Sequence, residues 1–155
     1  MFVDYEYYTE EYKGNSLTET EFNKYAKKAC MKITTSTMSR VTDGTINKYP
    51  SELIDNIKDC ACAITEWIKK FEVALDNIIK DNNEGIVKSK TAGAVTISYD
   101  TSQTASYLLD MGKQEQIIKS VINSYLSARC INGVFYNLLS KNLCSSSNCV
   151  TCRIN

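Results

Sequence analysis

The stretch SELIDNIKDCACAITEWIKKFEVALDNIIKDNNEG, residues 51–85, decides the fold. Within it Leu53, Ile54, Ile57, Ala61, Ile64, Trp67, Ile68, Phe71, Leu75, Ile78 and Ile79 recur at helical spacing. They form a broad apolar stripe over about eight turns. Pro50, the one proline of the chain, stands just ahead, and Ser51 is a good N-cap. No glycine or proline interrupts the stripe, and Asp81-Asn82-Asn83-Glu84-Gly85 ends it. A helix this long needs more than one small element to cover it, so it is the expected spine of the domain.

Toward the N-terminus, Thr18-Glu19-Thr20-Glu21 has the form of a capping box, with Thr18 as N-cap and Glu21 reaching back. Leu17 and Phe22 flank it as a hydrophobic staple. Phe22, Ala26, Ala29 and Ile33 mark one face of a first helix. The β-branched run Ile33-Thr34-Thr35 weakens it, so it frays near Thr37. Thr42-Asp43-Gly44 is a turn. Residues 1–17 are expected to be an extended arm closing in a turn at Lys13-Gly14-Asn15. Tyr5, Tyr7, Tyr8 and Tyr12 crowd this arm, and tyrosines bury large area at low entropic cost. They either form an interface or pack on their own subunit's helices.

Beyond the spine the pattern changes. Val95, Ile97 and Tyr99 alternate with Thr96, Ser98 and Asp100, the period of a short strand or hairpin arm. Lys88-Ser89-Lys90-Thr91-Ala92-Gly93 ahead of it reads as a polar turn. A lone strand cannot satisfy its own backbone, so it must pair with a neighbouring hairpin arm or with another subunit. With no evident partner in its own chain, the 95–99 strand is expected to be an inter-subunit or channel-facing element. A third helix starts near Lys113–Glu115, buries Ile117, Ile118, Val121, Ile122, Tyr125 and Leu126, and ends around Arg129. Asn132-Gly133 is a turn, Val134–Leu139 is apolar, and Cys144–Cys149 is loop-like.

The fold class predicted is mainly α. It is a small helical bundle on one long central helix, with an extended N-terminal arm, a long loop carrying a short β-strand or hairpin, and an extended C-terminal tail. The organisation is an arm at 1–17, a helical domain at 18–130 with the loop and strand inserted at 83–112, and an extension at 131–155.

Composition excludes several functions. The 18 basic residues balance 18 acidic ones, which disfavours stable binding to nucleic-acid phosphates. The charges are unevenly placed: six carboxylates and one lysine occupy residues 1–21, and no carboxylate side chain follows Glu115. An acidic front and a basic back suit head-to-tail contact between copies, or chance spread over solvated faces. No run of about 18 apolar residues is present, so no membrane partner is expected. The opening MFVDYEYYTEEY lacks the basic and apolar regions of a secretory leader, which predicts reduced thiols in a cytoplasm.

Catalytic chemistry is sparse. The chain has no histidine, which removes the usual general base, every nucleophile–histidine pair and the commonest metal ligand. No phosphate-cradling glycine loop occurs. An enzyme is not expected. Cys144, Cys149 and Cys152 have chelating spacing, with Cys130 the nearest fourth ligand. The alternatives are a metal site, reduced thiols or a late disulfide. Strong zinc signals have two paired knuckles, and here one pair stands with a single cysteine, so no cofactor is expected. Cys30, Cys60 and Cys62 fall on helices as small core residues. Trp67 and Phe71, one turn apart, pack in the core or line a partner's pocket.

The ordered set of features resembles the head–tail connector (adaptor) proteins of long-tailed bacteriophages and prophages. It comprises Tyr5-Glu6-Tyr7-Tyr8-Thr9-Glu10-Glu11-Tyr12-Lys13-Gly14, then Glu21-Phe22 entering the first helix, and Ala29 to Ile33 leading to Thr37. Ile57-Lys58-Asp59-Cys60-Ala61-Cys62-Ala63-Ile64, Gly93-Ala94-Val95-Thr96-Ile97-Ser98-Tyr99 and Ile118–Leu126 follow. The resemblance implies a homo-oligomeric ring beneath the portal protein, continuing the DNA channel to a downstream neck or tail completion protein, without catalysis. DNA would pass through without specific binding. It also implies assembly in the host bacterial cytoplasm and residence at the head–tail junction of the virion. Family members commonly end soon after the last helix, whereas this chain continues through Phe135, Tyr136 and its clustered cysteines. The expected interfaces are the tyrosine arm, the strand (Val95, Ile97, Tyr99), and a portal-facing tail with Phe135, Tyr136, Leu138 and Leu139. The runner-up reading is a small helical prophage regulatory or protein-binding module with a cysteine-rich metal-binding tail.

Overall fold

A computed structural model describes the backbone of residues 1–84, 89–92, 95–98, 110–131 and 134–139. Side chains are described for residues 1–76, 110–128, 130, 131, 134 and 136–139. The protein is mainly helical, as expected. In chain order the elements are α1 (Tyr5–Glu10), α2 (Glu19–Ser36), a 3-10 turn (Ile46–Lys48), and α3 (Ser51–Glu84). The pair β1 (Ser89–Ala92) and β2 (Val95–Ser98) follows, then α4 (Met111–Leu126), β3 (Arg129–Ile131) and β4 (Val134–Tyr136).

Helix α3 is the spine, and both α2 and α4 pack on it. It begins at Ser51 itself, with the Pro50 carbonyl accepting from the N–H groups of Leu53 and Ile54 at 3.0 Å. Leu53, Ile57, Ala61, Ile64 and Phe71 are its buried stripe, and Cys60, Cys62 and Thr65 broaden it. Burying a large aliphatic or aromatic side chain is worth about 1.5–3 kcal/mol, so this face sets the architecture.

The capping box of α2 forms as read. Thr18 Oγ1 accepts from the Glu21 N–H, and Glu21 Oε2 accepts from the Thr18 N–H at 3.0 Å. The buried face of α2 is Phe22, Tyr25, Ala26, Ala29, Cys30 and Ile33. The helix ends at Ser36, where the buried Thr37 hydroxyl folds back to donate to the Ile33 carbonyl at 2.9 Å. Met38 and Ser39 then take left-handed backbone angles (φ 51° and 60°), which forces the chain out of the helix.

The N-terminal segment departs from the expected extended arm. Asp4 caps α1 by accepting from the Tyr7 N–H at 2.8 Å, and Tyr5–Glu10 are helical. The cause is visible in the spacing: Tyr5 and Tyr8 share one helical face, which closes on Phe22. The Tyr8–Phe22 and Tyr5–Phe22 ring centroids lie 4.9 and 5.8 Å apart. The turn at Gly14 requires glycine, because a β-carbon there would fall inside the Tyr8 ring. Phe2 and Val3 are buried as well.

The hairpin alternative for the 95–98 strand holds, and two finer expectations need correction. The 95–98 strand has a partner in its own chain: β1 pairs with β2 antiparallel, Ser89 opposite Ser98 and Ala92 opposite Val95. The polar stretch read as a turn therefore supplies the missing arm. The boundary placed at residue 130 cuts through a second antiparallel hairpin, in which Arg129 pairs with Tyr136 and Ile131 with Val134. Helix α4 thus stops at Leu126, short of Arg129. Residues 140–155 lie outside the described residues.

Candidate interaction surfaces

The tyrosines of α1 are spent on their own subunit. The Tyr8 hydroxyl donates to Glu66 at 2.9 Å and accepts from the Ser16 N–H at 3.1 Å, and the Ser16 hydroxyl donates to Glu66 at 3.0 Å. The Tyr7 hydroxyl donates to Asp59 at 2.9 Å, with the Lys58 ammonium over its ring at 4.7 Å. The Tyr5 hydroxyl donates to the Leu17 carbonyl at 3.3 Å. Burial, reinforced by the Asp59 carboxylate, raises the Tyr7 phenol, and burial with the Glu66 charge raises Tyr12. The Tyr7 phenol stays protonated and serves as a donor. Tyr8 is fully buried and offers nothing to a neighbour, while Tyr5, Tyr7 and Tyr12 are half-buried. What α1 shows to solvent is Glu6, Glu10 and Glu11, all exposed.

A second polar seam joins α2 to α3. Glu72 accepts from Lys24 and Tyr25 at 2.8 Å and from Lys28 at 2.9 Å. Burial pushes Glu72 up, but those three donors outweigh it and hold the carboxyl at about 2. Lys69 reaches both Glu21 at 3.0 Å and the Ser16 carbonyl at 2.8 Å. These carboxylates are saturated by donors that tie elements together. The arrangement secures helices to one another.

Of the other expected interface residues, Val95 and Ile97 lie in β2, and Tyr99 falls outside the described residues. Phe135 lies in β4. Leu138 is only 4% exposed, and Tyr136 and Leu139 are half-buried against the same core. The Tyr136 ring meets Tyr49 edge-on at 6.4 Å, and Arg40 donates to the Asn137 carbonyl at 3.1 Å. The sequence places this segment in a portal-facing tail. Leu138 is instead part of the subunit's own core, because the β3–β4 hairpin folds it back.

Among the proposed metal ligands Cys130 is exposed on β3, and Cys144, Cys149 and Cys152 lie outside the described residues. Among the described residues no cluster of three histidine, cysteine or carboxylate side chains is placed to hold a metal. Cys30, Cys60 and Cys62 are buried, and burial raises all three thiols, Cys60 to about 12. Among the described residues no helix is long and apolar enough to cross a membrane.

No protein-family model, curated protein or solved structure matches this chain. The surface itself must therefore carry the functional argument.

The feature that sequence reading missed lies on the distal part of α3. The apolar stripe does not stay buried along the whole helix: Phe71 is its last buried member among the described residues. Val73 and Leu75 are 47% and 46% exposed. Next to them is an open groove of about 420 Å³, lined by Ser16, Trp67, Lys70, Val73 and Ala74 among others. The half-buried Trp67 ring lies 5.7 Å from Phe71, and the Lys70 ammonium sits 4.8 Å from its centroid. The available signal was length, since α3 has 34 residues where α2 has 18 and α4 has 16.

Proposed function

We propose that this chain is a structural virion protein, a head–tail connector subunit that forms a ring under the portal and joins capsid to tail. The observation that carries the reading is the apolar surface left open on the distal part of the spine. At about 1.5 Å per residue, α3 extends roughly 51 Å against about 27 Å for α2 and 24 Å for α4. A subunit that leaves Trp67, Val73 and Leu75 accessible on such a rod is suited to being finished by neighbours. The order of features that resembles the connector family supports the same reading: the tyrosine segment, the capped helix, the long helix, the hairpin and the last helix. The balance of 18 basic and 18 acidic residues suits a channel that DNA crosses without adhering. The partners proposed are further copies of the chain, the portal protein, a downstream neck or tail completion protein, and passing DNA.

Deleting the coding sequence from the phage or prophage tests this. The expected result is filled heads and free tails that never join, with wild-type virions labelled at the neck by an antibody to the chain. Infectious tailed particles lacking the protein would overturn the proposal.

A further inference from the structure

We infer that the Trp67–Lys70–Val73 groove receives the acidic helix α1 of a second copy of this chain, a contact that rests on the ring reading and gives it a place. The groove combines an apolar floor with one uncommitted cation. Glu66 at its edge is occupied by Tyr8 and Ser16, and Lys69 by Glu21 and Ser16. Lys70 is exposed above the Trp67 ring and makes no ion pair among the described residues. An indole beside a cation and two aliphatic side chains is the composition of an interface anchor.

The complementary surface is on the same polypeptide. Glu6 and Glu10 sit one turn apart on α1, where like charges repel. Glu10 and Glu11 occupy the last turn and C-cap of α1, where the helix dipole opposes negative charge, and that turn holds no basic residue. None of the three carboxylates forms an ion pair among the described residues. Tyr7 and Tyr8 pin α1 to Asp59 and Glu66 of α3, while Glu6, Glu10 and Glu11 remain exposed. A cation from outside would relieve both unfavourable terms. Because the two patches differ, the contact is heterologous and propagates from copy to copy, as ring closure requires.

Sedimentation of the full chain, alone and with its portal, tests the contact using two charge reversals: Lys70→Glu, and Glu6→Lys, Glu10→Lys and Glu11→Lys together. Wild type should self-associate, and each variant alone should associate about tenfold or more weakly while keeping its helical spectrum. Mixing the two variants should restore association, since an acidic groove then meets a basic helix. Variants that associate like wild type, or that fail to recover on mixing, overturn this contact while leaving a ring built on other surfaces standing. A wild-type chain that stays monomeric both alone and on the portal overturns the contact and the ring together.

Discussion

The Tyr8 phenol donates to Glu66 at 2.9 Å across 58 positions of sequence, fastening the first helix to the middle of the spine. Tyr8 also closes on Phe22, so one side chain links α1, α2 and α3. Tyr8→Phe keeps the packing but leaves Glu66 and Ser16 short of a partner, and should cost about 1–2 kcal/mol in urea unfolding. Gly14→Ala drives a methyl group into the same ring and should cost about 1–3 kcal/mol. Gly44→Ala, where a β-carbon meets nothing within 4 Å, should change stability by less than about 0.5 kcal/mol and serves as the control.

Acid should unfasten the α2–α3 seam. Hydrogen bonds from the Thr18 backbone, Lys69 and the Thr18 hydroxyl hold Glu21 at about 2, below its ordinary 4.5, and Glu72 is held at about 2. A carboxyl depressed in the folded state contributes stability above pH 4.5 that disappears as pH falls toward 2. The urea midpoint should therefore drop across that window. Glu21→Gln and Glu72→Gln should each start lower at neutral pH and lose less on acidification. A double variant with the wild-type pH profile would show that the seam does not matter.

Thiol reactivity should separate core from surface. Cys30, Cys60 and Cys62 are buried with thiols raised by desolvation, so at pH 8 they should be inert to a disulfide reagent until the protein unfolds. Cys130 is exposed and should react in the native state. Rapid native labelling of all seven cysteines would contradict the packing described.

Where the chain can be cut follows from Leu138. Stopping after Leu139 retains the β3–β4 hairpin, the buried Leu138 and the carbonyl that Arg40 grips, and serves as the reference. Stopping after Cys130 removes buried Ile131 and Leu138, each worth roughly 1.5–3 kcal/mol, and should lower the melting temperature by about 5 °C or more.

The bundle was legible because its signals are local. Thr18 and Glu21 spell the start of α2, and Leu53 to Phe71 repeat at a helical period. What escaped depends on tertiary closure. Helix α1 is short and polar in composition, and only the shared face of Tyr5 and Tyr8 announces it. Ser89–Ala92 is too polar to read as a strand until β2 supplies its partner. The Asn132-Gly133 step was read as a bare turn, although that dipeptide between Cys130-Ile131 and Val134-Phe135 is a strong hairpin signal. The groove on α3 was invisible for a different reason: apolar spacing tells which face of a helix is sticky, not where its covering neighbours stop.

Electron microscopy of the purified chain mixed with its portal tests the central claim most directly. The account predicts a ring of copies capping the portal and coaxial with its channel. Portals that remain bare at saturating concentrations of a correctly folded chain would contradict it.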